Sequence, residues 1–289
     1  MTHSVDVVTD AGIPAVTATE VTAREELLFG TLRDAGSVLV ALSGGVDSAY
    51  LAWAAFHVLG DAALAVTADS PSYPDHHRQL ALRVARECGL RHETIQTFEV
   101  HQPAYASNPV NRCYYCKSEL YGALAAIAHA RGIAVVADGN NADDRDDYRP
   151  GRRAAREFGV RSPLDEVGLT KMAIRELSRR AGLPTWDEPA SACLSSRIPY
   201  GSAISPTSLA QIERAEDALR TLGFRVCRVR HYGPTARVEL DPDDLAGLTG
   251  GMRGRIVGAV RAVGYADVTI DPRGYRQGSL NEGLQLRPV

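Results

Sequence analysis

The sequence predicts an α/β fold, a doubly wound parallel sheet, with a second, smaller α+β domain after it. Three observations carry that prediction. From residue 22 onward, short and continuous β-branched apolar runs alternate with helical stretches, as strands covered on both faces do. Polar loops follow three of those runs, at the strand ends where open parallel sheets bind ligands. Beyond about Pro163 the alternation gives way to a proline-punctuated segment and then to strands of mixed polarity. A chain of 289 residues, 45% hydrophobic, is long enough to give each part a core.

Residues 1–21, rich in Thr, Val and Ala without periodicity, read as a loosely ordered lead-in. Thr22 and Glu25 have capping-box spacing and open a helix to about Gly36. VLVAL (38–42) is a buried strand, and the turn after it leads into a helix from Ser48 to about Leu59. AALAVTAD (62–69) is a second strand, Pro74 to Cys88 a helix, HETIQT a third strand, Lys117 to Arg131 a helix, and IAVVADG (133–139) a fourth strand. A helix from Thr170 to Ala181 closes the first domain, 22–185. The second, 186–289, begins in the irregular LPTWDEPASACLSSRIPYG segment. It continues with a helix from Ser205-Pro206 to Leu222, strands FRVCRVRHY and ARVELD, a helix from Gly250 to Val263, and a last strand YADVTID.

A net charge of −3 disfavours a surface built for nucleic-acid phosphates and favours small ligands. No basic start precedes an apolar core at the N-terminus, and no run approaches the roughly 20 apolar residues of a membrane span, so a cytoplasmic address is expected. Five cysteines, an odd number, do not form a secreted disulfide framework; they read as buried thiols, metal ligands or reactive groups.

Ser43-Gly44-Gly45-Val46-Asp47-Ser48 joins a buried strand to a helix N-terminus. Unpaired amides and the positive end of the helix dipole converge there on one anion, expected to be a phosphate. The string is neither the Lys-containing nucleotide loop G-x-x-x-x-G-K-[ST] nor G-x-G-x-x-G. Asp47 is placed to hold Mg²⁺, since hard cations on phosphates take carboxylate oxygens. The Asp69-Ser70 strand end and ADGNNADD (137–144) converge on the same crevice.

Cys113 and Cys116 have C-x-x-C spacing at the mouth of a helix, and Cys193, in the irregular segment beside the cleft with Arg197 nearby, is the natural third sulfur. Three thiolates can hold three irons of a [4Fe–4S] cluster and leave one open, whereas structural zinc normally takes four closed ligands. Zinc completed by a histidine, or ordinary thiols, remain open alternatives. Cys88 and Cys227 read as core. Arg228 and Arg230, two apart on a strand, point to one face and suit a substrate phosphate; a solvated strand face is the plainer alternative. Lys117 either meets a phosphate or caps its helix.

SGGVDS resembles the PP-loop of the adenine-nucleotide α-hydrolases, the HUP-like PP-loop ATPases that cleave ATP between its α- and β-phosphates. ADGNNADD resembles their second segment, which implies nucleotide or metal contacts for Asp138, Gly139, Asn141 and Asp143. With NRCYYCK, PASACLSSRIPYG and the VRVRH strand in that order, the chain after about residue 22 resembles the LarE-type ATP-dependent sulfur transferases of nickel-pincer nucleotide biosynthesis. The resemblance implies adenylylation of the carboxylates of pyridinium-3,5-biscarboxylic acid mononucleotide, followed by their conversion to thiocarboxylates. It also turns Arg197 toward the active site, makes Glu216 and Glu239 metal or subunit contacts, and implies a homo-oligomer, with hexamers usual. Family members with one cysteine sacrifice its sulfur; those with three are thought to use a [4Fe–4S] cluster fed by a sulfur donor. CYYC plus Cys193 matches the second group. The competing readings are a single-turnover sacrificial donor, a tRNA thiolase of the same superfamily, and a nucleotide sensor with structural zinc. Against the thiolase stand the acidic charge and the lack of an appended RNA-binding region.

Overall fold

A computed structural model of the chain describes residues 17–146, 150–190 and 192–276. Chain order gives α1 (Ala18–Ala35), β1 (Val38–Ala41), α2 (Val46–Leu59), β2 (Ala63–Asp69), α3 (Asp75–Glu87), β3 (His92–Gln96), α4 (Pro103–Ala106) and α5 (Arg112–Arg131). There follow β4 (Val135–Ala137), α6 (Gly151–Glu157), α7 (Pro163–Glu166), α8 (Lys171–Arg180), α9 (Pro206–Thr221), β5 (Cys227–Tyr232), β6 (Thr235–Leu240), α10 (Pro242–Ala246), α11 (Gly250–Ala262) and β7 (Asp267–Ile270).

The first sheet is parallel, in the order β3-β2-β1-β4. Its strands alternate between two cores because successive side chains leave opposite faces. Val38 and Val40 pack with Leu28, Leu51 and Ile174 from α1, α2 and α8. Leu39, Leu64 and Val66 pack with Tyr121, Leu124 and Ala154 from α5 and α6. Helices on both faces of a parallel sheet make the fold α/β, and a second sheet follows it. There β5 runs antiparallel to β6 and β6 parallel to β7, over a separate core of Leu219, Val229, Val238, Ile256 and Val260.

Several expected boundaries move. The capping box that opens α1 is Thr17 with Glu20, because the T-x-x-E spacing occurs twice and the earlier copy has its backbone bonds made in both directions. Residues 17–21, expected in a loose lead-in, therefore belong to the helix or its cap; 1–16 lie outside the described residues. Helix α5 starts at Arg112, so Cys113 and Cys116 stand inside its first turns. Strand β5 begins at Cys227 rather than Phe224.

The irregular segment is held, not loose. Leu194, Ile198 and Ile204 pack with Val100, Tyr105, Leu209 and Ile212, and Cys116 lies against that cluster. Asn108, at φ 54°, takes a left-handed conformation that asparagine tolerates. Its amide donates to the carbonyls of Ile198 (3.2 Å) and Pro199 (2.8 Å). No helix among the described residues is long and apolar enough to cross a membrane.

Candidate active site

The glycine pair divides its labour. Gly44 sits at φ +65°, and a Cβ there would lie 2.2 Å from the His77 carbonyl oxygen, so both backbone and space exclude a side chain. At Gly45 a Cβ would meet nothing nearer than the Ser43 hydroxyl at 3.7 Å. Packing within the protein does not require that glycine. Gly45 caps α2 without any side-chain bond, leaving the first amides of the helix for an anion. Gly44→Ala is expected to destabilise the fold by about 2–5 kcal/mol. Gly45→Ala should stay within about 0.5 kcal/mol of the parent in chemical denaturation while nucleotide affinity falls at least about tenfold. Equal stability losses in the two variants would refute the distinction.

Around the loop, Ser43 and Ser48 brace each other, hydroxyl to hydroxyl at 2.9 Å and amide to hydroxyl at 3.0 Å. The second loop leans on the first: a Cβ at Gly139 would stand 2.8 Å from the Ser48 amide nitrogen. Asn141 Oδ1 accepts the Asp143 amide (2.9 Å), and Asp143 Oδ2 accepts the Lys171 amide (2.8 Å). The Lys171 ammonium then reaches Asp47 Oδ2 at 2.5 Å, while Asp47 Oδ1 is buried without a partner. A phosphate loop, a lysine and an orphaned carboxylate oxygen thus share one place. The donor set suits Mg²⁺ on a polyphosphate.

Lys171 was not among the residues singled out from sequence. One signal existed: it occupies the first position of α8, after the Thr170 cap, where the helix dipole disfavours a cation.

Other expected contacts are engaged inside the protein. Asp138 accepts Tyr121 Oη (2.6 Å), Ser162 Oγ (2.7 Å) and the Asn140 side-chain amide (2.7 Å), which makes it the hub of its loop rather than an open ligand. Ser70 gives its hydroxyl to Glu99 at 2.6 Å, and Asp69 accepts from the Gln96 amide at 3.1 Å. Glu216, fully buried, takes the Arg197 guanidinium through both oxygens, at 2.8 and 2.9 Å. Glu239 takes Arg230, at 2.9 and 2.7 Å. Neither acid offers a free carboxylate to a metal, and removing one member of either pair would strand its partner's charge in the core. Arg197 meets Cys193 through its carbonyl (3.0 Å) and also binds the Ala192 carbonyl (2.6 Å), so it shapes the loop around the thiol. Arg228 donates to the Cys227 and Ala190 carbonyls and lies over the Tyr275 ring; among the described residues it has no carboxylate bonded to it, unlike Arg230 and Arg237.

His77 joins the two halves of this region. Its backbone abuts Gly44, and its buried ring is exposed to the charges of Glu188, His76, Arg228 and Arg197. Burial first, then His76 and the two arginines, against an opposing pull from Glu188, push the imidazole down to about 4 from its ordinary 6.5. A folded-state value below the unfolded one means that stability is complete above pH 6.5 and lost as pH falls toward 4. The loss attributable to His77 is up to about 3 kcal/mol. His77→Gln should flatten that part of the curve when denaturation midpoints are compared at neutral pH and near pH 4.5; an unchanged slope would remove His77 as its cause.

The thiols divide as their surroundings dictate. Cys227, in the core, is pushed up to about 12 by burial and Glu216. Burial, Glu99, Cys193 and Cys113 together hold Cys116 well above the usual thiol range, with Lys117 opposing. Cys193 and Cys113 thus both act on Cys116, and the buried Arg112, next to Cys113 in the chain, feels both Cys193 and Cys113. Among the described residues no three His, Cys, Asp or Glu side chains already stand as a metal-ligand set. In donor kind alone, three cysteine sulfurs with Arg112 and Lys117 nearby suit a group held by thiolates.

A protein of Synechocystis sp., described as uncharacterized, is 45% identical over 257 residues, 89% of this chain and 95% of the relative. Pyridinium-3,5-bisthiocarboxylic acid mononucleotide synthase of Lactiplantibacillus plantarum is 36% identical over 262 residues, 90% of this chain and 95% of the relative. The tRNA(Ile)-lysidine synthase of a Bradyrhizobium species is 31% identical over 168 residues, 56% of this chain and 43% of the relative. No family model matches the chain.

Proposed function

Because the chain belongs to the LarE-type family of pyridinium-3,5-bisthiocarboxylic acid mononucleotide synthases, we propose that it is an ATP-dependent sulfurtransferase of nickel-pincer nucleotide synthesis, converting carboxylates of pyridinium-3,5-biscarboxylic acid mononucleotide to thiocarboxylates. The observation that carries the reading is the placement of Cys193. The amide of the next residue, Leu194, is bonded at 2.9 Å to the Ser72 carbonyl, just beyond the carboxyl end of β2 and beside the strand that feeds the phosphate loop.

In this reading a substrate carboxylate attacks the α-phosphorus of ATP and pyrophosphate departs onto the amides at Gly44, Gly45 and Val46. Lys171 and the α2 dipole neutralise the developing charge. Asp47 Oδ1 would hold Mg²⁺ there. Arg228 receives the substrate's own phosphate, and Asp138 fixes the loop that closes over the nucleotide. The acyl-adenylate then meets sulfur at Cys193, with AMP as leaving group. Cys113, Cys116 and Cys193 would hold a [4Fe–4S] cluster, which when bound supplies a renewable sulfide in place of the cysteine's own sulfur. Division of the chain near residue 185, a cytoplasmic homo-oligomer and an external sulfur donor belong to the same proposal.

Pyrophosphate release from ATP that depends on the pyridinium dicarboxylate nucleotide is the expected result, and its absence contradicts the proposal. Anaerobic purification with iron and sulfide analysis, then intact mass across turnover, distinguishes the sulfur sources. A loss of one H₂S, about 34 Da, at Cys193 means the sacrificial route; an unchanged chain turning over repeatedly means the cluster. Salt-sensitive tRNA retention on a filter would instead favour the thiolase.

A further inference from the structure

Glu99 is a carboxylate at 1% exposure whose hydrogen-bond partners are two serines. One oxygen, Oε1, accepts Ser70 Oγ at 2.6 Å and Ser72 Oγ at 2.5 Å, and the two hydroxyls are 3.1 Å apart. Burying a carboxylate on neutral donors alone costs stability, so folding does not explain the choice. What the serines do next explains it. Ser70 directly follows Asp69, the last residue of β2. Ser72 presents its carbonyl to the Leu194 amide. On the other side of the same segment, Tyr105 Oη and Ser195 Oγ meet at 2.6 Å. Buried bonds therefore run from the end of β2 through Ser70, Glu99 and Ser72 to Leu194, the residue after Cys193, and a separate bond holds Ser195.

We propose that Glu99 is a positioning residue: by gathering Ser70 and Ser72 onto one oxygen, it fixes the Ser72 carbonyl under Leu194 and so holds the Cys193 segment in register with the nucleotide end of β2. The inference deepens the function given above and rests on it for the role of Cys193. Glu99 acts through the two serines that its carboxylate accepts from. Its contribution is that sulfur and activated carboxyl meet without a search, which is where orientation acts on rate.

The test compares Glu99→Ala and Glu99→Gln in the full-length protein as purified. Hydrogen exchange at the Leu194 amide should accelerate at least about tenfold in Glu99→Ala, with β5 and β6 unchanged. The kcat for thiocarboxylate formation should fall at least about tenfold while the KM for ATP stays within about twofold. Glu99→Gln keeps an oxygen that accepts both hydroxyls and should restore both measurements to within about threefold of the parent. Exchange that rises throughout the protein, a kcat and KM that move together, or a glutamine variant as impaired as the alanine one would each overturn the proposal. Should Glu99→Ala fail to fold, Ser72→Ala takes its place under the same criteria. A parent protein that makes no thiocarboxylate refutes the function, whereas exchange at Leu194 that ignores Glu99→Ala refutes the clamp.

Discussion

Cys193→Ala is expected to abolish thiocarboxylate formation, by at least about 10³-fold, and to leave substrate-dependent pyrophosphate release within about threefold of the parent. The proposal assigns the two half-reactions to different parts of the molecule. In the proposed reaction, activation of the carboxylate falls to the phosphate loop, Asp47 and Lys171, which among the described residues have no bond to the residue 193 side chain. Sulfur delivery falls, in the same proposal, to a thiol that is half-exposed in a loop otherwise pinned by Arg197, Ser72 and Tyr105. Those pins grip backbone atoms and neighbouring residues, so removing the sulfur should not move the loop. Release of pyrophosphate and formation of product, measured on one sample, read the two halves separately. Loss of both together would mean that Cys193 is structural. Cys113→Ser and Cys116→Ser extend the comparison: both should lose bound iron if the three thiols share a cluster, and neither should if Cys193 alone supplies the sulfur.

What the sequence disclosed depended on how local the cause was. A buried strand, two glycines and a helix start lie within eleven residues, so the loop and its ligand class could be read directly. The second sheet was legible because apolar residues alternate along β5 and β6. Partners set by the tertiary fold were not. Arg228 and Arg230 share a face as their spacing requires, yet the register of β5 against β6 sets Arg228 opposite Glu239 and brings Arg230 onto the same carboxylate. Periodicity gives the face of a strand but not what stands across from it. Asp138 looked like a ligand for the same reason: Tyr121 and Ser162, 17 and 24 residues away in sequence, saturate it only once the chain is folded.

Lys171→Ala is expected to lower the rate of pyrophosphate formation by about 10²–10³-fold, the usual effect of deleting one preorganised group that faces charge developing in a transition state. The ammonium comes to the loop from 124 residues away and rests on Asp47 at 2.5 Å, partly open to solvent. A pair only partly withdrawn from solvent adds little to folding, so the variant should unfold within about 2 kcal/mol of the parent. The lysine is also in the first turn of α8, where the dipole works against its charge. A cation kept at an unfavourable helix end, for a salt bridge of small value, is best explained by an anion that arrives later. Lys171→Arg tests geometry against charge. If only charge mattered it would recover most of the rate; a single ammonium reaching between Asp47 and a phosphate predicts recovery below about a tenth, because a planar fork cannot replace a point donor there. Lys171→Ala with an unaltered rate would separate this lysine from the leaving group and reduce it to a partner of Asp47.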